Sequence, residues 1–151
     1  VKKMVSPLPF HPEHGGPVKE LWESGKLELE AVPQGVLAER LRAGGAGIGG
    51  VFLPTGVGTR FAEGKEMRSF DGREHVLELA LKADLALLRA KAADTLGNLE
   101  YLGTGRNWNP IMAMAAAVTV AEVDQVYEPG GIDPEVVITQ AIFIDRLVLA
   151  A

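Results

Sequence analysis

The sequence predicts an α/β domain with a mostly parallel sheet flanked by helices, and three observations predict it. Segments of period-2 alternation trade places with segments of helical period over most of the length. Glycine and proline punctuate most of the boundaries between them. Apolar residues make up 47% of the 151 residues, which is enough for a core. No fixed-period repeat points to a solenoid or a propeller instead.

Residues 1–17 read as irregular, because Pro7, Pro9, Pro12, Gly15, Gly16 and Pro17 each interrupt a helix or a central strand. A short helix is predicted over 18–24, closed by Gly25. Residues 26–32 (KLELEAV) alternate apolar and charged, with Leu27, Leu29 and Ala31 on one side, and read as a half-buried strand. Pro33-Gln34-Gly35 then turns the chain into a helix over 36–43, with Leu37 and Leu41 on one face. Gly44 and Gly45 read as its C-terminal cap. Val51-Phe52-Leu53 is a short apolar strand, and 54–59 is a loop. Phe70-Asp71-Gly72 reads as a turn. The spacing of Val76, Leu79 and Ala80 predicts a helix over 73–82. Residues 85–90 form a buried strand candidate, 94–98 a turn and 99–102 a strand. Asn109 takes the N-cap position, with Pro110 first in a small, apolar helix over 111–117. Residues 117–123, 136–137 and 141–148 complete the strands. The whole, 1–151, reads as one domain.

The formal charge is −5 and no basic block occurs, so the electrostatic footprint of a nucleic-acid binder is missing. No apolar run reaches the roughly 18 residues that span a bilayer. Prolines and histidines follow Lys2 and Lys3, so no apolar stretch continues into a signal peptide. The chain has no cysteine, which excludes a disulfide, a thiolate zinc site and a Cys nucleophile within it and fits a reducing compartment. The expectation is a soluble cytoplasmic protein with neither a membrane nor a nucleic-acid partner.

Several motifs fail on context. Residues 45–50 match G-x-G-x-x-G, but the predicted order is helix first and strand after, so a pyrophosphate would find no helix N-terminus. A helix end followed by a close-approach loop is the favoured reading there. His11-Pro12-Glu13-His14 groups possible metal ligands without helical spacing, and an exposed polar loop is favoured; no metal is expected. His75 reads as solvated. Ser6, Ser24 and Ser69 lack a nucleophile elbow. Glu63, Glu66 and Glu74 are adequately explained as surface groups.

Two segments hold more interest. Gln34 places a neutral amide at a strand-to-helix turn, where α/β sheets put ligand groups. Such an amide can donate to an oxygen that gains charge, or be a plain turn residue. The polar loop from Gly103 to Asn109 feeds a helix start. Arg106 there can clamp a carboxylate or phosphate, or pair locally while Asn109 caps the helix.

Read with the glycine run, these segments carry a resemblance. VKKMV (1–5), LELEAVPQGVLAERLRAGGAGIGGVFLPTGVGT (27–59), EGKEMRSFDGRE (63–74), the run 82–116, TVAEV (119–123) and EPGGIDPEVVIT (128–139) stand in order along the chain. Together they resemble the A (alpha) chain type of family I CoA-transferases, which act on 3-oxoacids, 3-oxoadipate or acetate and acetoacetate. The block PQG-x-LAERLRAGGAGI is the most specific part. The resemblance implies a CoA-transferase-like, Rossmann-like open sheet and a ping-pong transfer of CoA from an acyl-CoA to a carboxylate. Succinyl-CoA and a 3-oxoacid are the commonest pair. It implies a glutamate nucleophile supplied by a B subunit in a hetero-oligomer, and no permanent cofactor, CoA thioester being substrate. By the same resemblance Gln34 corresponds to an active-site amide. Gly44, Gly45 and Gly47, with Arg106, Asn107 and Asn109, become candidates for lining the substrate or CoA passage.

The sequence departs from the family pattern at Gly49-Gly50-Val51-Phe52, where a Pro-Ala and aromatic segment is usual. Alpha chains of the family carry a further N-terminal segment, so the fold is expected to be N-terminally incomplete. A non-catalytic module of the same fold, and a sugar-phosphate isomerase or deaminase on a related sheet, are the competing readings.

Overall fold

The structure, a computed structural model, describes residues 1–11 and 15–151. Of His11-Pro12-Glu13-His14, the last three therefore lie outside the described residues. The chain divides into two compact units, Val1–Glu39 with Val51–Glu78, and Arg40–Gly50 with Leu79–Ala151.

In the first unit, β1 (Lys3–Ser6) pairs in parallel with β2 (Glu28–Ala31), Lys3 opposite Glu28 and Ser6 opposite Ala31. Residues 1–17 are thus not wholly irregular, because the prolines begin only at Pro7 and leave KMVS free to pair. Lys3 Nζ reaches both Glu28 and Glu30 at 2.8 Å, so β1 is also tied to the charged side of β2. Helix α1 (Pro17–Glu23) starts on a proline at its first turn, as 18–24 predicts. After β2 the chain enters α2 (Gln34–Gly45) through Val32 and Pro33.

A three-stranded sheet follows, ordered β3 (Gly50–Leu53), β5 (Arg73–Leu79), β4 (Met67–Phe70). Residues 73–82 are therefore not a helix, and His75 and Glu74 lie on a strand. The cause is the turn before them. Asp71 and Gly72 both take positive φ, 50° and 75°. That is the two-residue Asp-Gly hairpin connection, and it aligns Phe70 with Arg73 in antiparallel register. Val76 and Glu78 then alternate inward and are buried. Glu78 is compensated by Lys65, whose Nζ lies 2.7 Å from its carboxylate and 3.4 Å above the centre of the Phe61 ring.

The second unit is a four-stranded sheet, β7 (Leu99–Glu100), β6 (Ala83–Asp94), β8 (Ala116–Tyr127), β9 (Arg146–Leu149), in that order. β6–β8 and β8–β9 are parallel and β6–β7 antiparallel. The mostly parallel α/β class holds. Helix α3 (Gly105–Ala115) covers one face, where Ala86, Leu88 and Ala90 of β6 meet Ala121 and Val123 of β8 and Ala113 of α3. Small side chains at these positions let helix and sheet pack closely. Arg89, Lys91, Glu122 and Asp124 alternate outward.

Two further expectations change here. Asn109 and Pro110 lie inside α3, which begins at Gly105, so Asn109 is not its N-cap. The reason is that the Asn109 side-chain amide is committed to the carbonyls of Arg89 and Gly105. Of the strands expected over 136–137 and 141–148, only β9 forms; Pro134–Val136 and Ala141–Phe143 are single 3₁₀ turns. Asp133 starts the first by accepting the Glu135 N–H at 3.0 Å, and Asn98 Oδ1 accepts the Ala141 N–H at 3.0 Å at the second.

Asp94 closes β6. One carboxylate oxygen accepts the N–H groups of Leu96, Gly97 and Asn98 at 3.1, 2.9 and 2.9 Å, and the other accepts Asn98 Nδ2 at 2.7 Å. Burial opposes ionisation, but the hydrogen bonds from Asn98, Gly97 and Leu96 win and hold the carboxyl below its ordinary value. A depressed pKa contributes stability that is present above the unfolded value and lost as pH falls through the folded one. Asp94→Ala should cost about 1–3 kcal/mol near neutral pH. The gap to wild type should narrow as pH falls below about 4. Urea unfolding across pH checks this; a gap that ignores pH would mean that the charge is not what matters.

Candidate functional site

Gln34 is the first residue of α2 and is exposed. It stands at the carboxyl end of the parallel pair β1–β2, the end at which open α/β sheets take ligands. Its position follows from its neighbours. Val32 is 1% exposed and Val36 is fully buried, so the residues on either side of the turn are anchored. The Pro33 carbonyl accepts the Leu37 N–H at 3.0 Å and begins the helix. The first turn contains no acidic residue, so the partial positive charge of the helix start has no carboxylate of its own turn beside it. A neutral donor beside a helix N-terminus suits an oxygen that becomes negative.

Gly44 and Gly45 are not the cap of α2 but its last two residues. A Cβ on Gly44 would lie 2.1 Å from the Leu81 carbonyl oxygen, and one on Gly45 would lie 2.6 Å from Met114 Cβ. Both positions require glycine for close packing. The cap is Gly47, with φ of 73°. The Ile48 N–H bonds the Ala43 carbonyl at 2.9 Å and the Gly47 N–H bonds that of Gly44 at 3.3 Å, which is the Schellman arrangement. Helix then strand is the order on either side of the 45–50 glycines, so they offer no helix N-terminus to a phosphate. Within the second unit, Gly44 and Gly45 border a cavity of about 450 Å³ together with Lys82, Asp84 and Met114. Ala83 and Ala116, which open β6 and β8, also line it, so it lies at the amino ends of those strands. No sequence motif marks Lys82, the end of the helix expected over 73–82, or Asp84, just before the strand candidate 85–90.

The loop before α3 has little backbone left for an anion. The N–H groups of Gly105, Arg106 and Asn107 bond the carbonyls of Leu102, Gly103 and Thr104 at 3.1, 3.4 and 3.0 Å. Any capacity for an anion falls to the Arg106 side chain, which is exposed and forms no ion pair with the described residues. Asn107 is exposed as well. Asn109 is half-buried and committed. Its Nδ2 donates to the carbonyls of Arg89 at 3.0 Å and Gly105 at 2.9 Å, and its Oδ1 faces the Arg89 N–H at 3.5 Å. The side chain ties the first turn of α3 to β6. A cavity of about 270 Å³ lies beside it, lined by Arg89, Lys91, Leu102, Gly105, Asn109 and Asp124. Its cations are matched: Arg89 pairs with Glu122 at 3.3 Å and with Asp124, and Lys91 pairs with Glu100, whose hydrogen bond raises the Lys91 pKa.

Ser69 lies exposed on β4, and the other two serines make only short-range bonds. Ser24 Oγ donates to the Leu21 carbonyl at 3.1 Å and Ser6 Oγ accepts the Leu8 N–H at 3.3 Å, each a local bond. His75 stacks edge-on to Phe70, with ring centres 5.2 Å apart. Among the described residues no group of His, Asp and Glu could hold a metal ion, and no helix is long and apolar enough to cross a membrane.

A sequence model of the family described as Coenzyme A transferase matches residues 9–150. The chain is 57% identical over 129 residues to the alpha chain of the 3-oxoadipate CoA-transferase of Pseudomonas putida, covering 85% of this chain and 56% of that protein. It is 51% identical over 154 residues to the alpha chain of the succinyl-CoA:3-ketoacid coenzyme A transferase of Xanthomonas campestris pv. campestris, covering all of this chain and 61% of that one. The chain thus spans roughly three fifths of the length of these relatives. Among solved structures, an acyl-CoA transferase of Escherichia coli O157:H7 in a thioester complex with CoA shares the fold, with a TM-score of 0.77 at 22% identity over 89% of this chain and 32% of that one. The decarboxylase AibA/AibB matches at a TM-score of 0.77 and 27% identity, over 99% of this chain and 58% of that one.

Two pairs of substitutions separate packing from exposure. Gly44→Ala should destabilise by about 1–3 kcal/mol, because its Cβ meets a backbone oxygen. Gly35→Ala, with nothing within 4 Å of the new atom, should stabilise by about 0.5–1 kcal/mol. Asn109→Ala should cost about 1–3 kcal/mol, while Arg106→Ala should stay within about 0.5 kcal/mol of wild type. Thermal or urea unfolding of the four variants reads all of these, and an equal effect at Asn109 and Arg106 would contradict the assignment.

Proposed function

Because the chain belongs to the coenzyme A transferase family, we propose that it acts as the alpha half of a two-subunit CoA-transferase. It moves CoA from an acyl-CoA, succinyl-CoA first among the donors, to a carboxylate such as a 3-oxoacid. The observation that carries this reading is the match to Coenzyme A transferase across 9–150, together with 57% and 51% identity to alpha chains whose names specify 3-oxo or 3-keto acids. The two relatives share a CoA-transfer reaction and that acid class, which sets the substrate class proposed here.

In this reading the B subunit supplies the glutamate nucleophile. Its carboxylate attacks the thioester carbonyl, the C–S bond breaks, and a mixed anhydride and CoA thiolate result. The thiolate then attacks the glutamyl carbonyl, releasing the donor carboxylate and leaving a glutamyl-CoA thioester. The acceptor carboxylate takes over the CoA by the same steps in reverse. Each attack puts negative charge on an oxygen. Gln34, exposed at the start of α2, donates to that oxygen without bringing a positive charge that would pair with the nucleophile. The chain contributes no nucleophile of its own and holds no permanent cofactor; the CoA thioester comes and goes as substrate. Gly44, Gly45 and Gly47 hold the end of α2, and Arg106 with Asn107 is the exposed pair open to substrate carboxylate or phosphate. The reading includes a cytoplasmic location, which a chain without cysteine suits.

The test mixes this chain with a B subunit known to work with an intact alpha chain, supplies succinyl-CoA and acetoacetate, and follows acetoacetyl-CoA. A rate that needs both chains is expected. Gln34→Ala should lower kcat about 10²–10³-fold, with a smaller change in KM. An unchanged kcat would remove Gln34 from the site while leaving the transferase reading in place. No rate with any of several acyl pairs would favour a non-catalytic module of the same fold.

A further inference from the structure

We draw no further inference here: the strongest candidate, the outward face of the β7-β6-β8-β9 sheet where Leu85, Leu87 and Val148 stay exposed beside Val120, carries nothing because nothing in the structure shows what covers it.

Discussion

Asp94 has 5% exposure and both of its carboxylate oxygens engaged, and the second unit is organised around it. The turn it closes reverses β6 into β7 and fixes Asn98, whose own oxygen holds the Ala141 N–H. Leu99 then exchanges backbone bonds with the 138–139 segment, and the Tyr101 hydroxyl meets Thr139 Oγ1 at 2.8 Å in the interior. From there the chain returns to β8, where the Asp145 carboxylate accepts the Thr119 N–H at 2.7 Å and β9 pairs in parallel. Without the charged acceptor, the Leu96 and Asn98 N–H groups would be left at the turn, that of Gly97 would keep only the Asp94 carbonyl at 3.0 Å, and Asn98, which holds the Ala141 N–H, would lose its tie to Asp94.

How far the sequence discloses this structure depends on how local the deciding interaction is. β2, Pro33 and α2 are legible because alternation, a proline and a helical stripe lie within twenty residues of one another, and Gln34 inherits its place from them. β5 is misread because Val76, Leu79 and Ala80 happen to fit a helical period. The Asp71-Gly72 turn just upstream is the stronger signal, since two consecutive positive φ values demand a hairpin. The start of α3 is hidden for a different reason. Asn109 looks like a cap by type and by its place before Pro110, yet besides the Gly105 carbonyl its partners are the backbone groups of Arg89, twenty positions away, which no spacing rule reveals. Gly44 and Gly45 look like a stop signal, and only the nearness of Leu81 and Met114 shows them as packing residues.

Function is less legible than fold for a physical reason. The same architecture is found in an acyl-CoA transferase and in a decarboxylase, so the arrangement of strands does not set the reaction. In the reading proposed, the described residues offer that chemistry an exposed neutral amide at one helix start, Gln34, and an exposed arginine at another, Arg106. Those groups can stabilise and orient charge, but they do not form bonds to carbon. That composition is what a half-site requires in the reading proposed, because a nucleophilic carboxylate works best beside donors that do not neutralise it.

The reading proposed is a division of labour, in which this chain would support an exchange whose covalent step occurs on a B subunit. Intact-mass measurement of the two chains mixed with succinyl-CoA tests it most directly. The account predicts a CoA adduct on the B subunit that forms only when this chain is present, with none on this chain. An adduct on this chain, or none on a B subunit that forms one with an intact alpha chain, would contradict it.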